Sequence, residues 1–339
     1  VRDNLQAIKY GEISISLRNC FRFATFAELV AFAPQSARLY RFAKRLVRRH
    51  DFMPACRIFS TVTYYGRFKR LLDDNVKAVF IASQYSPECL GLAAAAHQAG
   101  KKVLFTNHAS ATGETGYVAP VHADLVAVTS PAIADLYQRH TPHELNVVPF
   151  TIGEPQQNLR VPDREPDKLT VGIYLTALTD EVRLKEIVAD WSQMDSVGSV
   201  FIRTHPAEVV TADLSGITGT RVPLEISSTM PLRDDVERTN IAVCGNSTVV
   251  IEILRGGRPV LYDHRLDHIT YDYNGYLGYG LVLPHPETID GTIFEQIQEH
   301  YFDGTWNEKM QYFDCGYQQD ERAIALRFAT AVERVMQKA

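Results

Sequence analysis

The segment that most restricts how this 339-residue chain can fold is Asn240–Asp263, NIAVCGNSTVVIEILRGGRPVLYD. A short apolar run breaks on a glycine, passes through three polar residues and resumes with helical spacing. An apolar run of this length, bounded by turn residues, reads as a strand buried on both faces. The turn Gly256-Gly257-Arg258-Pro259 ends the helical stretch and opens a second strand, Pro259–Asp263. Strand, helix and parallel strand in so short a span form the repeating unit of a doubly wound sheet.

The same alternation recurs along the chain. In the first half, apolar runs at Arg57–Thr61, Ala78–Ala82, Lys102–Thr106, Leu125–Thr129 and Asn146–Phe150 read as strands. Helical patterns lie between them at Gly66–Asp74, Pro87–Ala99 and Pro131–His140. In the second half, strands are expected at Leu169–Leu175, Ser199–Thr204, Ile241–Cys244 and Pro259–Asp263, with helices at Asp180–Trp191 and Val249–Leu254. A chain of this size usually divides its core. The polar, proline-bearing stretch Gly153–Lys168 is the natural linker. The expected organisation is α/β, with doubly wound parallel-sheet domains at 1–152 and 169–320. A terminal helix within 321–339, patterned over Glu321–Lys338, is expected to pack across them.

Charge separates the halves. Residues 1–150 carry 18 basic and 11 acidic side chains, a balance of +7, whereas residues 151–339 carry 17 and 29, a balance of −12. Local charge selects partners. The basic segment Ala37–His50 sets an apolar stripe beside a cationic one. It suits either an anionic membrane surface or an ordinary solvated helix face. No run of eighteen apolar residues and no secretory signal pattern occurs, which points to a cytoplasmic protein, peripheral at an inner membrane if attached at all. A start on Val1 leaves room for an upstream segment. The five cysteines, Cys20, Cys56, Cys89, Cys244 and Cys315, show no metal or redox spacing and read as reduced thiols.

Within Asn240–Asp263, Gly245 permits close approach of the backbone, Ser247 and Thr248 supply hydroxyls, and a helix start supplies amides, which together suit phosphate oxygens. Asn246 or Ser247 is a natural N-cap. Glu252, one turn on, can accept both hydroxyls of a ribose. A second element, Ile202–Pro206 or IRTHP, ends a strand so that His205 projects from the carboxyl edge, with Arg203 on the same face. The acidic clusters Asp73-Asp74, Asp234-Asp235 and Asp267–Asp272 fit solvated turns, and no Asp-x-Asp follows a strand. A metal site is therefore not expected.

The strand, Gly/Ser turn, glutamate-bearing helix and Gly-x-Pro strand resemble the donor domain of GT-B glycosyltransferases. His205-Pro206 followed by Ser247-Thr248 resembles the paired motifs of bacterial sialyltransferases, polysialyltransferases, Kdo transferases and CDP-glycerol-type polymerases. The resemblance runs from about Lys168 to Pro284 and includes Tyr271–Tyr276; over the first half it is architectural only. It implies a GT-B fold, two Rossmann-like domains with a cleft between them. It also implies nucleotide binding by Arg203, His205, Pro206, Gly245, Asn246, Ser247, Thr248 and Glu252.

For the catalytic base the first half offers Glu88, His108 and Glu114, each just beyond a strand or in a Gly-flanked loop. The implied activity is transfer from a CMP-sugar, with UDP-sugars as an alternative, to a bacterial surface glycan or lipid-linked acceptor, without cofactor, metal or nucleic acid. Polyol phosphate transfer from a CDP-polyol, UDP-sugar 2-epimerisation and a non-catalytic module of a larger synthase are the other readings.

Overall fold

Helix α1, Phe52–Leu71, is the longest element of the computed structural model, which describes residues 41–42, 44–45, 52–107, 118–150, 159, 169–206, 217, 219–269 and 271–337. Arg57–Thr61, expected as a strand, lies inside it. The reason is continuity: apolar residues persist at helical spacing through Tyr64 and Phe68, with no proline after Pro54 and no turn cluster before Asp73. Thr61 and Thr63 hydroxyls bond back to the Arg57 and Phe59 carbonyls at 2.8 and 2.9 Å, satisfying polar groups within the helix. Beyond it Asp73 caps the turn, accepting from the Asn75 amide at 2.9 Å. The Ala37–His50 pattern lies mostly outside the described residues; Arg41, Phe42, Lys44 and Arg45 are helical and exposed.

The first sheet orders its strands β1 (Ala78–Ile81), β2 (Lys102–Thr106), β3 (Leu125–Val128) and β4 (Val147–Pro149) in sequence. Its helices are α2, Pro87–Gln98, and α3, Pro131–His140. Ser130 caps α3 by accepting from Ile133 N at 3.2 Å, and Pro131 supplies a preset first residue. Asp124 ties β2 to β3 by accepting from Val103 N at 2.8 Å.

The second sheet contains β5 (Leu169–Tyr174), β6 (Val197–Arg203), β7 (Leu224–Ser227), β8 (Ile241–Cys244), β9 (Val260–Tyr262) and β10 (Leu283–Pro284). Every neighbouring pair is parallel, in the order β10-β9-β8-β5-β6-β7. The chain builds outward from β5 in one direction, then returns to build outward in the other. The reversal falls between β5 and β8, the position at which open α/β sheets form a ligand crevice.

Helices α4 (Glu181–Gln193), α5 (Leu232–Arg238) and α6 (Val249–Arg255) alternate with the strands, followed by α7 (Ile293–Tyr301), α8 (Trp306–Phe313) and α9 (Glu321–Gln337). Asp180 caps α4 with bonds from Val182 N and Arg183 N at 2.9 and 3.0 Å. Trp191, Phe201, Val243 and Trp306 are among the core residues buried around this sheet. The linker stretch lies outside the described residues except Leu159. Backbone proximity divides the chain within β3, between Val126 and Ala127, and groups α9 from Ala331 onward with the first unit. Among the described residues no helix is long and apolar enough to cross a membrane.

Candidate functional site

The register of the second sheet aligns Tyr174 with Arg203 on one side and with Cys244 on the other, and Cys244 with Tyr262. These residues form one row at the carboxyl edge. His205 and Gly245 each lie one or two residues beyond that row, on strands separated only by β5. The two sequence-predicted segments, Arg203–Pro206 and Gly245–Thr248, thus emerge from the same edge beside the reversal of strand order.

The turn after β8 differs from a free phosphate nest. Asn246 does not cap α6. Its Nδ2 donates to the Ile269 and Tyr271 carbonyls at 3.0 and 3.1 Å, while its Oδ1 accepts from Tyr273 N at 2.8 Å and from the Tyr262 hydroxyl. Thr248 occupies the cap position with helical φ and ψ of −70° and −12° and no side-chain cap bond. Ser247 Oγ accepts from Val249 N at 3.3 Å. The amides of Asn246, Ser247, Val250 and Ile251 are also engaged, the first by Asp267 and the others by carbonyls within the turn. The expectation of open amides at this helix start is narrowed: nearby acceptors, including a buried carboxylate, engage these amides and that of Val249, and the Thr248 amide lies outside these bonds. Glu252 is exposed on α6.

At the end of β6, Arg203 Nη1 donates to the Met230 carbonyl at 2.8 Å and to the carboxylate of Asp235, which is fully buried. Asp235 also accepts from Ser227 Oγ at 2.6 Å and from Arg238 Nε at 3.0 Å. Arg238 lies 4.1 Å above the Phe201 ring and pairs with Glu225. Thr204 N donates to the Ser227 carbonyl at 3.1 Å. The backbone leading to His205 is thereby fixed, and His205 and Pro206 are exposed.

Two acidic residues first read as solvated are in the interior. Asp235 is the anchor just described, and Asp267 is 2% exposed, accepting from Thr176 Oγ1 and Asn246 N. Burial pushes the Asp267 carboxyl above its ordinary value despite those two bonds. Burial acts the same way on Asp263, but bonds from Arg265 and Arg183 outweigh it and hold this carboxyl below the usual range. Sequence reasoning missed Thr176, Asp235 and Asp267 because acidic turn residues and lone threonines have the same local pattern whether buried or exposed. Only the apolar runs on either side of them hinted that the turns were short and inward.

In the first unit Glu88 is exposed in the first turn of α2, just beyond β1. Ser83 Oγ shapes the preceding loop by accepting from Tyr85 N and Ser86 N, both at 3.1 Å. His108 and Glu114 lie outside the described residues.

No family model and no curated protein sequence matches the chain. Among solved structures, CalG4, the calicheamicin glycosyltransferase, aligns at a TM-score of 0.53 and 13% identity, covering 84% of this chain and 80% of that one. A protein from Listeria monocytogenes, assigned as a candidate UDP-N-acetylglucosamine 2-epimerase, aligns at 0.50 and 12% identity, covering 82% and 80%. At such identity the likeness is one of fold, and with the two parallel-sheet units it establishes the GT-B type of architecture. Neither neighbour is a sialyl- or Kdo-transferase.

Proposed function

We propose that this chain is a glycosyltransferase that binds a nucleotide-activated sugar at the carboxyl edge of its six-stranded sheet and transfers the sugar to a bacterial surface glycan or a lipid-linked acceptor. The observation that carries the reading is the row Cys244–Tyr174–Arg203, from which the Gly245–Thr248 and Arg203–Pro206 segments emerge one strand apart beside the topological switch point. A CMP-sugar, such as CMP-Kdo or CMP-sialic acid, is the donor favoured by the His-Pro and Ser-Thr pairing.

In this reading the Ser247 and Thr248 hydroxyls and the His205 imidazole receive the phosphate, Arg203 positions the strand end that carries His205, and Glu252 takes the ribose. The acceptor hydroxyl oxygen forms the new bond to the anomeric carbon as the carbon–oxygen bond to phosphate breaks. Its proton passes to one of Glu88, His108 or Glu114, and the nucleotide departs with the bonding electrons. The reaction needs no metal, since hydroxyls and imidazole meet the phosphate charge. The basic first half suits a cytoplasmic site of action at an anionic membrane face.

Thermal shift with CMP, CDP and UDP ranks the nucleotides, and the absence of a shift with all three would sink the reading. Donor hydrolysis should survive a chelator and disappear in His205→Ala. The Listeria neighbour supports epimerisation of a UDP-sugar as a second reading. An epimerase interconverts its nucleotide sugar with no acceptor present, whereas a transferase leaves the sugar configuration unchanged.

A further inference from the structure

The carboxyl edge between β5 and β8 has a carboxylate built into it. Asp267 accepts from Thr176 beyond β5 and from the Asn246 amide beyond β8, and so joins the two loops that border the reversal of strand order. Its backbone is fixed as well. Asp267 forms an antiparallel bridge with Thr179, His268 N donates to the Leu178 carbonyl at 2.9 Å, and Asp180 N donates to the Leu266 carbonyl at 2.8 Å. Gly245 has no side chain at the point of contact, and a Cβ there would overlap the Asp267 carboxylate. The glycine, read from sequence as room for a phosphate, is room for an internal anion. A side chain 2% exposed and held at both ends cannot swing aside for a ligand.

We propose that Asp267 is a positioning residue of the donor site: it withdraws the Asn246 amide from the ligand and sets a negative charge beneath the turn, so that phosphate is met by the hydroxyls of Ser247 and Thr248 and by the Thr248 amide. This rests on the reading of the carboxyl edge as a donor site. Three facts converge on it. The Ser247 amide is spent on the Gly245 carbonyl at 2.8 Å, the Val249 amide lies on Ser247 Oγ at 3.3 Å, and the Asn246 amide is on Asp267, which leaves the Thr248 amide beside the two hydroxyls. A carboxylate so close to an incoming phosphate also limits how tightly the free nucleotide is held, which favours release of the departing nucleotide after transfer.

Asp267→Asn separates charge from shape, because the amide can accept from Asn246 N with its oxygen and donate to Thr176 with its nitrogen. Asp267→Ala removes both contacts. At pH 8 the Asn variant should bind CMP or UDP roughly ten-fold more tightly than the native chain, the effect of deleting one buried like charge near a phosphate. Without ligand, amide exchange in the 245–248 peptide should match the native rate in Asp267→Asn and quicken in Asp267→Ala. A purely structural role predicts equal nucleotide affinity for the native chain and the Asn variant, and that result would overturn the proposal. Unchanged exchange in the Ala variant would overturn it too. If the native chain binds no nucleotide, the donor reading falls, and the ligand-free exchange pattern still decides whether Asp267 holds the turn.

Discussion

Arg203 was expected to face the ligand, and its closest partner is instead Asp235, a carboxylate with no exposed surface. The consequence can be measured. Removing a buried partner leaves an uncompensated charge, which costs more than the pair contributed while intact. Asp235→Ala should therefore lower unfolding free energy by about 3–5 kcal/mol in a urea titration, with Asp235→Asn losing less because it retains an acceptor. If Arg203 acted on nucleotide alone, the Ala variant would keep native stability and lose only affinity. The same network explains why His205 has a defined place: Arg203 and Thr204 are both tied to the β7–α5 segment before the chain reaches it.

Between elements, the clearest buried polar join is that of α4 to the end of β10. Trp191 Nε1 donates to His285 Nε2 at 3.2 Å, and His285 Nδ1 faces the Pro286 carbonyl at 2.9 Å. That pattern places the ring proton on Nδ1 and needs a neutral imidazole. Burial lowers the His285 pKa from 6.5 to about 4. Above about pH 6.5 the ring is neutral folded and unfolded, so its effect on stability is flat. Between pH 6.5 and 4 only the unfolded chain takes up the proton, so stability falls with pH, approaching a loss of about 3 kcal/mol. Asp267 and Asp314, raised by burial, push the opposite way. Unfolding free energies for the native chain minus those for His285→Gln should isolate the histidine slope.

Elements such as these were legible where one cue dominated. Pro131–His140 and Ile241–Cys244 agree with the sequence to the residue, since a Ser-Pro start and an apolar run bounded by Asn and Gly leave little choice. Arg57–Thr61 failed because five residues do not distinguish a strand from part of a helix. Strand β7 and helices α5, α7 and α8 were not foreseen: Leu224–Ser227 alternates weakly, with Glu225 and Ile226 both exposed, and α5 is stabilised by the Asp235 network rather than by its own pattern. At the site, the segments that reach the edge were readable and their hydrogen-bond partners were not, because Asp267 lies 21 residues from Asn246.

The two halves of the chain differ in charge. The first 150 residues carry +7 and the remainder −12, so a surface of one sign meets the two halves differently. Arg41, Lys44 and Arg45 are helical and exposed, and Arg57 is exposed on α1. Each basic group near an anionic bilayer contributes on the order of 1 kcal/mol, so four suffice for measurable association against the entropic cost of confinement. The chain should float with vesicles rich in anionic phospholipid and remain behind with neutral ones. Raising salt to about 1 M, where the screening length shrinks to about 3 Å, should abolish flotation. Reversing Arg41, Lys44, Arg45 and Arg57 to glutamate should abolish it at low salt while leaving nucleotide thermal shifts intact, because the donor edge belongs to the other unit. Flotation equal on neutral and anionic vesicles, or unaffected by the four reversals, would exclude electrostatic attachment through these basic residues.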